Sequence, residues 1–320
     1  MSNHEDKKKH EDHEFDGKTF LYIRTHPNDD GTEPLPAGLP FWISPDITVI
    51  QPGNVRGDEA VANETNQVEV VVTNAGGIYA VDAYVEAFVA DPSTAFAPAT
   101  ATLIGGTFTT IPGYNTSTVT FNWIPLPADA GHRCLLARVC LTIPLDCYTD
   151  GSIFDVVGDR HVAQRNIHVV ELAEKSLSFG FKIVNPLKEK GDFLVRAMEV
   201  RANREADLIR MALGCRLAQF AEVPLREVTL TIGETIVPRE VSAEKGKPVS
   251  QPLGVLPKAM TLKRSKSGRV EMKPGEIRYA VLTVTRNPDV RPGDISVVQV
   301  EQIDVRTKKV VGGLWLIVKN

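Results

Sequence analysis

Short runs of alternating apolar and polar residues, each closed by Gly, Pro, Asn or Asp, restrict this chain more than any other feature. In "QVEVVVTN" (67–74) Val68, Val70 and Val72 fall on one side; in "TSTVTFNWI" (116–124) so do Val119, Phe121 and Trp123. A period of two fits a strand that buries one face and does not fit a helix. "AVDAYVEAFVA" (80–90) is ambiguous in period, but its Val, Tyr and Phe content favours a strand. "ATLIGGTFTTI" (101–111) stops at the turn dipeptide Pro112-Gly113, and "HRCLLARVCLTI" (132–143) and "RNIHVVEL" (165–172) follow. A second series covers 177–185, 192–200, 227–233, 235–241, 268–273, 277–286, 294–304 and 312–320. Short strands at this spacing predict a mainly β chain of antiparallel β-sandwiches.

The 320 residues suffice for about two domains. "LAEKSL" (172–177) is the expected junction, giving sandwiches at 19–172 and 173–320. One segment departs from the pattern. In 204–220 Leu208, Met211, Ala212 and Cys215 recur at helical spacing, which predicts one helix in the second sandwich. Residues 241–260, rich in Pro, Gly and Ser, read as a long connection. Residues 1–18 are charged, carry His4, His10 and His13, and have little to bury, so they read as a flexible, disordered tail. "HEDH" there lacks the spacing of the helical zinc motif HExxH.

Charge and hydropathy narrow the partners. The net charge is −4 and the pI about 6.0, and no bulk basic surface recruits nucleic acid. "KAMTLKRSKSGRVEMK" (258–273) is locally basic and reads as a solvated hairpin edge rather than a polyanion site. No apolar run is long enough for a membrane span. The N-terminus lacks the apolar core of a signal peptide, so a cytoplasmic location is expected, with export by a non-standard route as the alternative.

"GHRCLLARVCLTIPLDCYTDG" (131–151) holds three of the four cysteines. On a strand Leu135, Ala137, Val139 and Leu141 share a wholly apolar face, which must be core, while Cys134, Leu136, Arg138 and Cys140 share the other. Cys134 and Cys140 lie about 20 Å apart on a strand rising ~3.3 Å per residue, too far to bond. Cys140 and Cys147 meet only if the chain reverses near Pro144; otherwise all three are free structural cysteines. No CxxC or Cys…His spacing points to zinc, and no cofactor is expected. Asp150, Asp155 and Asp159 invite a calcium reading but lack the EF-hand spacing and its closing Glu, so a turn-rich loop is the plainer one. Trp42 reads as a packing residue; exposed, it would join Tyr114 and Tyr148 as a ligand-contact platform for a sugar. Trp123 and Trp315 lie in alternating strands and are expected in the core.

"NQVEVVVTNAGGIYAVDAYVEAFV" (66–89), with Asn74, Gly76, Ala80, Val81 and Val85, and "IPGYNTSTVTFNWIP" (111–125) resemble the bacterial CARDB-type immunoglobulin-like modules. "SPDI" (44–47) and "GHRCLLARV" (131–139) add to the likeness, which spans about 40–172. The second domain is immunoglobulin-like only in outline. Such modules are linked to cell adhesion. The resemblance implies a non-enzymatic structural or protein-interaction protein, acting in assembly or adhesion through a protein partner or its own copies. Two alternatives stand beside it: a carbohydrate- or surface-binding module using Trp42, Tyr114 and Tyr148, and a metal-dependent hydrolase using His132, His161 and the aspartates of 150–159.

Overall fold

The computed structural model describes residues 15–57, 60–126, 133–171, 176–200, 225–233, 260–261, 267–289 and 295–319. Among these the regular structure is strand apart from one short 3-10 turn, in two sandwiches of two sheets each, with no α-helix. The helix expected at 204–220, the strand at 235–241 and most of the connection at 241–260 lie outside the described residues, as do residues 1–14 and His132.

The first sandwich holds β1 (Leu21–Tyr22), β2 (Ile47–Gln51), β3 (Val55–Gly57), β4 (Asn66–Asn74), β5 (Ala80–Ala90), β6 (Thr102–Ile111), β7 (Asn115–Trp123), β8 (Cys134–Leu141), β9 (Asp146–Cys147) and β10 (Val162–Arg165). In one sheet β4 pairs with β7 on one side and with β1 and β2 on the other, and β3 pairs with β2. The other sheet runs β10-β8-β5-β6, with β9 also on β8. Between them the alternating faces meet as expected: Val68, Val70 and Val72 pack against Val85, Ala87, Leu135, Ala137 and Val139. Trp123 is partly buried at the rim of this core.

The Asn-x-Gly that carries the resemblance is a backbone crossing. Asn74 Oδ1 accepts from the N–H groups of Phe20 and Gly76, and its Nδ2 donates to the Ile78 carbonyl. A Cβ on Gly76 or Gly77 would overlap the backbone of residues 16–20, so only glycine lets that segment cross here. Phe15 stacks on Phe20 at 4.2 Å and its carbonyl accepts from Gly77 N–H. Residues 15–18, expected in the tail, are thus a turn held on the first sandwich.

The second sandwich comprises β11 (Ile167–Glu171), β12 (Ser176–Val184), β13 (Gly191–Glu199), β14 (Glu227–Ile232), β15 (Met260–Thr261), β16 (Ser267–Met272), β17 (Ile277–Thr285), β18 (Ile295–Asp304) and β19 (Val310–Lys319). Its sheets run β11-β19-β18-β13-β16 and β12-β17-β14-β15 around Phe181, Phe193, Leu230, Leu282 and Leu316. As expected, β16 is an edge strand of the basic stretch, and its Arg269 is exposed and paired with Asp192.

The two sandwiches are joined ahead of the junction that composition suggests. β10 pairs with β8 in the first, and β11, one residue later, runs parallel to β19 in the second. The crossing is Asn166. A third apolar cluster fills the seam: Trp42, Phe88, Cys134 and Leu136 from the first sandwich meet Ile295, Val297, Trp315 and Ile317 from the second. Both faces of β8 are therefore covered, one by the core of its own sandwich and the other by the seam cluster. Gly312 and Gly313 permit the approach, since a Cβ on either would overlap the Thr94 carbonyl or the Trp42 ring.

Candidate interaction edge and buried polar clusters

Asn166, wholly buried, ties the seam together. Its backbone N–H donates to the Trp42 carbonyl and its own carbonyl accepts from Trp315 N–H. Nδ2 donates to the carbonyls of Ser93 and Gly313, both at 2.7 Å, which fixes the amide orientation. Oδ1 then accepts from His168 Nε2 at 2.7 Å and from the Cys134 thiol. Cys, His and Asn together suggest a nucleophile and its base, but the geometry opposes that role. His168 Nε2, which faces Cys134 Sγ at 3.7 Å, already carries the proton it donates to Asn166, so it has no lone pair for the thiol. Burial pushes the Cys134 thiol far above its usual pKa. The cluster is built to hold rather than to react.

A second buried cluster surrounds the cysteine loop. The chain does reverse at residues 142–145, so β9 pairs with β8 and Cys140 lies directly opposite Cys147, bonded to it as a disulfide. These two are not the free cysteines the spacing favours, because a local turn at 142–145 folds β9 back on β8 and brings them face to face. Behind the loop His161 Nε2 meets Asp146 Oδ1 and Nδ1 meets Asp159 Oδ1, each at 2.8 Å. A carboxylate on each ring nitrogen suits the imidazolium form, in which both nitrogens donate. Burial by itself lowers its pKa, but the bonds to Asp146 and Asp159 outweigh burial and raise it. The same balance holds both aspartates below the usual carboxylate range: burial raises them, and His161 with the backbone N–H donors more than offsets that. Arg160 adds a bond to Asp146 at 2.7 Å and lies over the Phe20 ring at 4.3 Å. Asp146 Oδ2 accepts from Leu21 N–H, so the cluster anchors β1.

The predicted site residues do not converge. Trp42, 1% exposed, has no free face for a sugar. Tyr148 is half-buried beneath the Arg138 guanidinium at 4.5 Å, beside the seam. Tyr114 is 54% exposed in the turn between β6 and β7. Asp150 pairs with Lys188 and caps Ser152, Asp155 caps Gly158, and Asp159 holds Thr149 and His161. Among the described residues no group of three such side chains is placed to hold a metal.

The feature that sequence reading missed is an edge. From Pro92 to Ala128 there is no Asp, Glu, Lys, Arg or His, in a chain that is 24% Asp, Glu, Lys and Arg. That run forms β6 and β7, which end their sheets along one side of the first sandwich. β7 turns Val119 and Phe121 inward and threonines outward. β6 is different. Phe108 is 66% and Leu103 51% exposed, and Phe108 leans on Tyr84 at 4.8 Å between centroids. A register shift at Ile104 leaves Gly105–Thr109 pairing with Ala83–Ala87 without interruption. The uncharged run was visible in the sequence; that it forms an edge was not.

No family model and no curated protein matches the chain. Among solved structures, a CARDB domain from Pyrococcus furiosus, in complex with di-metal ions, is 21% identical. The match covers 39% of this chain and 88% of that one, with a TM-score of 0.25. A solution structure of that domain gives 20% identity, covering 38% of this chain and 90% of that one, with a TM-score of 0.24. A family 123 glycoside hydrolase from Clostridium perfringens is 12% identical, over 48% of this chain and 23% of its own, with a TM-score of 0.25. The likeness is one of fold alone.

Proposed function

We propose that this chain is a non-enzymatic structural or protein-interaction protein, acting in assembly or adhesion, in which two fused β-sandwiches present an edge strand to a partner. The observation that carries this reading is the uncharged, exposed edge of β6. An unpaired edge is a template for strand addition, and sheets ordinarily blunt theirs with charge. β12 has Lys182, β16 has Arg269 and Glu271, and β10 has Arg165. β6 has none over ten residues and adds exposed Leu103 and Phe108. Backbone groups would supply affinity, and the apolar side chains on the outer face would supply selectivity.

The Cys140–Cys147 disulfide supports a second element of the proposal, that the chain works in an oxidising compartment rather than in the cytoplasm first expected. The edge reading is tested by amide exchange on dilute full-length protein with a synthetic peptide of residues 101–112. Slowed exchange confined to β6 is the expected result. Unchanged β6 amides at saturating peptide, and in concentrated protein alone, would remove the edge as a docking strand.

A further inference from the structure

We infer that the Cys140–Cys147 disulfide is a redox-sensitive latch: reducing it lets the 142–147 loop lift, withdraws the Asp146 carboxylate from His161 and loosens β1. The inference stands apart from the edge reading and follows from where the disulfide sits.

Packing does little to hold this loop against the sandwich. β9 is two residues long and pairs with β8 only through Asp146 and Cys147. Residues 142–145 are all exposed, with Ile143 85% and Leu145 82% in water, so burial contributes almost nothing to seating them. A cleft of about 330 Å³ lies between Pro144 and Leu145 on one side and Lys18 and Phe20 on the other. The loop is therefore not packed on the segment that leads into β1. A pairing this short is marginal once the crosslink is cut, because opening returns the entropy of the ordered residues.

Asp146 transmits the position of the loop. It is the one buried residue of 142–146, and Cys147 beside it is half-buried. Its Oδ2 accepts from Leu21 N–H, and its Oδ1 accepts from Arg160 and His161. A carboxylate that leaves this pocket is rehydrated, so bonds to water replace those it gives up. β1 is only Leu21–Tyr22 and pairs with β4 at two positions, so the Asp146 bond is a large part of its anchorage. His161 is then left with Asp159, Arg160 and, through Arg160, Glu33. With one carboxylate gone it releases its proton more readily. The coupling is reciprocal, so a protonated His161 favours the closed disulfide.

The sulfurs are within reach of solvent: Cys140 and Cys147 are half-buried, whereas Cys134 is sealed. A thiolate of a dithiol reductant attacks one sulfur and breaks the S–S bond, and the reductant's second thiol displaces the mixed disulfide. Two electrons and two protons pass to Cys140 and Cys147, which become thiols, and the reductant becomes a disulfide.

The experiment compares full-length protein oxidised, reduced with dithiothreitol, and carrying Cys140→Ser with Cys147→Ser. It reads amide exchange at Leu21 and the NMR titration of the His161 ring. In both opened forms Leu21 is expected to exchange roughly tenfold or more faster while Val68 and Val70 of β4 stay unchanged, and His161 is expected to titrate at lower pH. Asp146→Asn in oxidised protein should also lower the His161 titration, and adding the two cysteine changes to it should lower it no further. A further fall there overturns the inference, because the loop then acts on His161 by another route. Equal Leu21 exchange and equal His161 titration in the oxidised and opened forms overturn it too. So does faster exchange spread evenly over β1 and β4, which marks a general loss of stability.

Discussion

The seam at Asn166 and the edge at β6 are both places where a sheet could meet another, and they are finished in opposite ways. At the seam both side-chain atoms of Asn166 that can hydrogen-bond have partners, and two glycines let the facing backbone close in. Along β6 one side of the strand has no strand partner among the described residues, and a large aromatic ring stands in solvent. A junction centred on a fully hydrogen-bonded buried amide fixes one arrangement, because breaking it strands buried polar groups. An unsatisfied, wet edge leaves the arrangement to whatever arrives. The seam is thus architecture, and the edge is the surface we propose for a partner.

Substitutions separate the two. The largest effect is expected from Trp42→Ala, which empties the centre of the seam and should cost about 3–5 kcal/mol in chemical denaturation. Asn166→Ala should cost about 2–3 kcal/mol, since it leaves the Ser93 and Gly313 carbonyls and the Cys134 and His168 donors without their partner. If either change left stability untouched, the seam would be incidental contact. Replacing Cys140 and Cys147 together by Ser opens a loop closed by seven residues of separation and should cost about 2 kcal/mol, with no change in oligomeric state.

His161 adds a dependence on pH. Its folded pKa is raised, so its contribution is complete below the unfolded value of about 6.5 and fades as pH rises through the folded one. The aspartates are lowered, so theirs is complete above about 3.9 and fades as pH falls. Stability from this cluster should peak between those limits. Denaturation of wild type should show a decline as pH rises above about 6.5, and His161→Gln should flatten it while costing about 1–2 kcal/mol at lower pH. The smallest effect on stability belongs to the edge: Thr107→Lys, at an exposed position, should shift unfolding by no more than about 0.5 kcal/mol. A large loss there would mean that β6 is held by packing and is not free to pair.

Much of the fold was legible because strands announce themselves by what they bury. Val68, Val70 and Val72 read as core and are core; β5 runs from Ala80 to Ala90 as expected. Leu135, Ala137, Val139 and Leu141 also read correctly, for the same reason. What could not be read was the second cover on β8, since Cys134 and Leu136 are buried partly by strands more than 150 residues downstream. Asn166 passes in sequence for an ordinary polar residue near the start of one strand run. Trp42 showed the same limit, because an aromatic residue in a Pro-rich segment serves a sugar or a core equally well until its surroundings are known.

Alternation, turn residues and the uncharged run from Pro92 to Ala128 were set by the sequence alone, because they depend on which side chains avoid water within a few residues. The closure of Cys140 on Cys147, the burial of His161 between two carboxylates, the passage at Asn166 and the standing of β6 as an edge were decided only in three dimensions. Each depends on which stretches of chain arrive alongside one another, seven residues apart for the cysteines and 147 for Asn166 and Gly313, and residue spacing does not fix that.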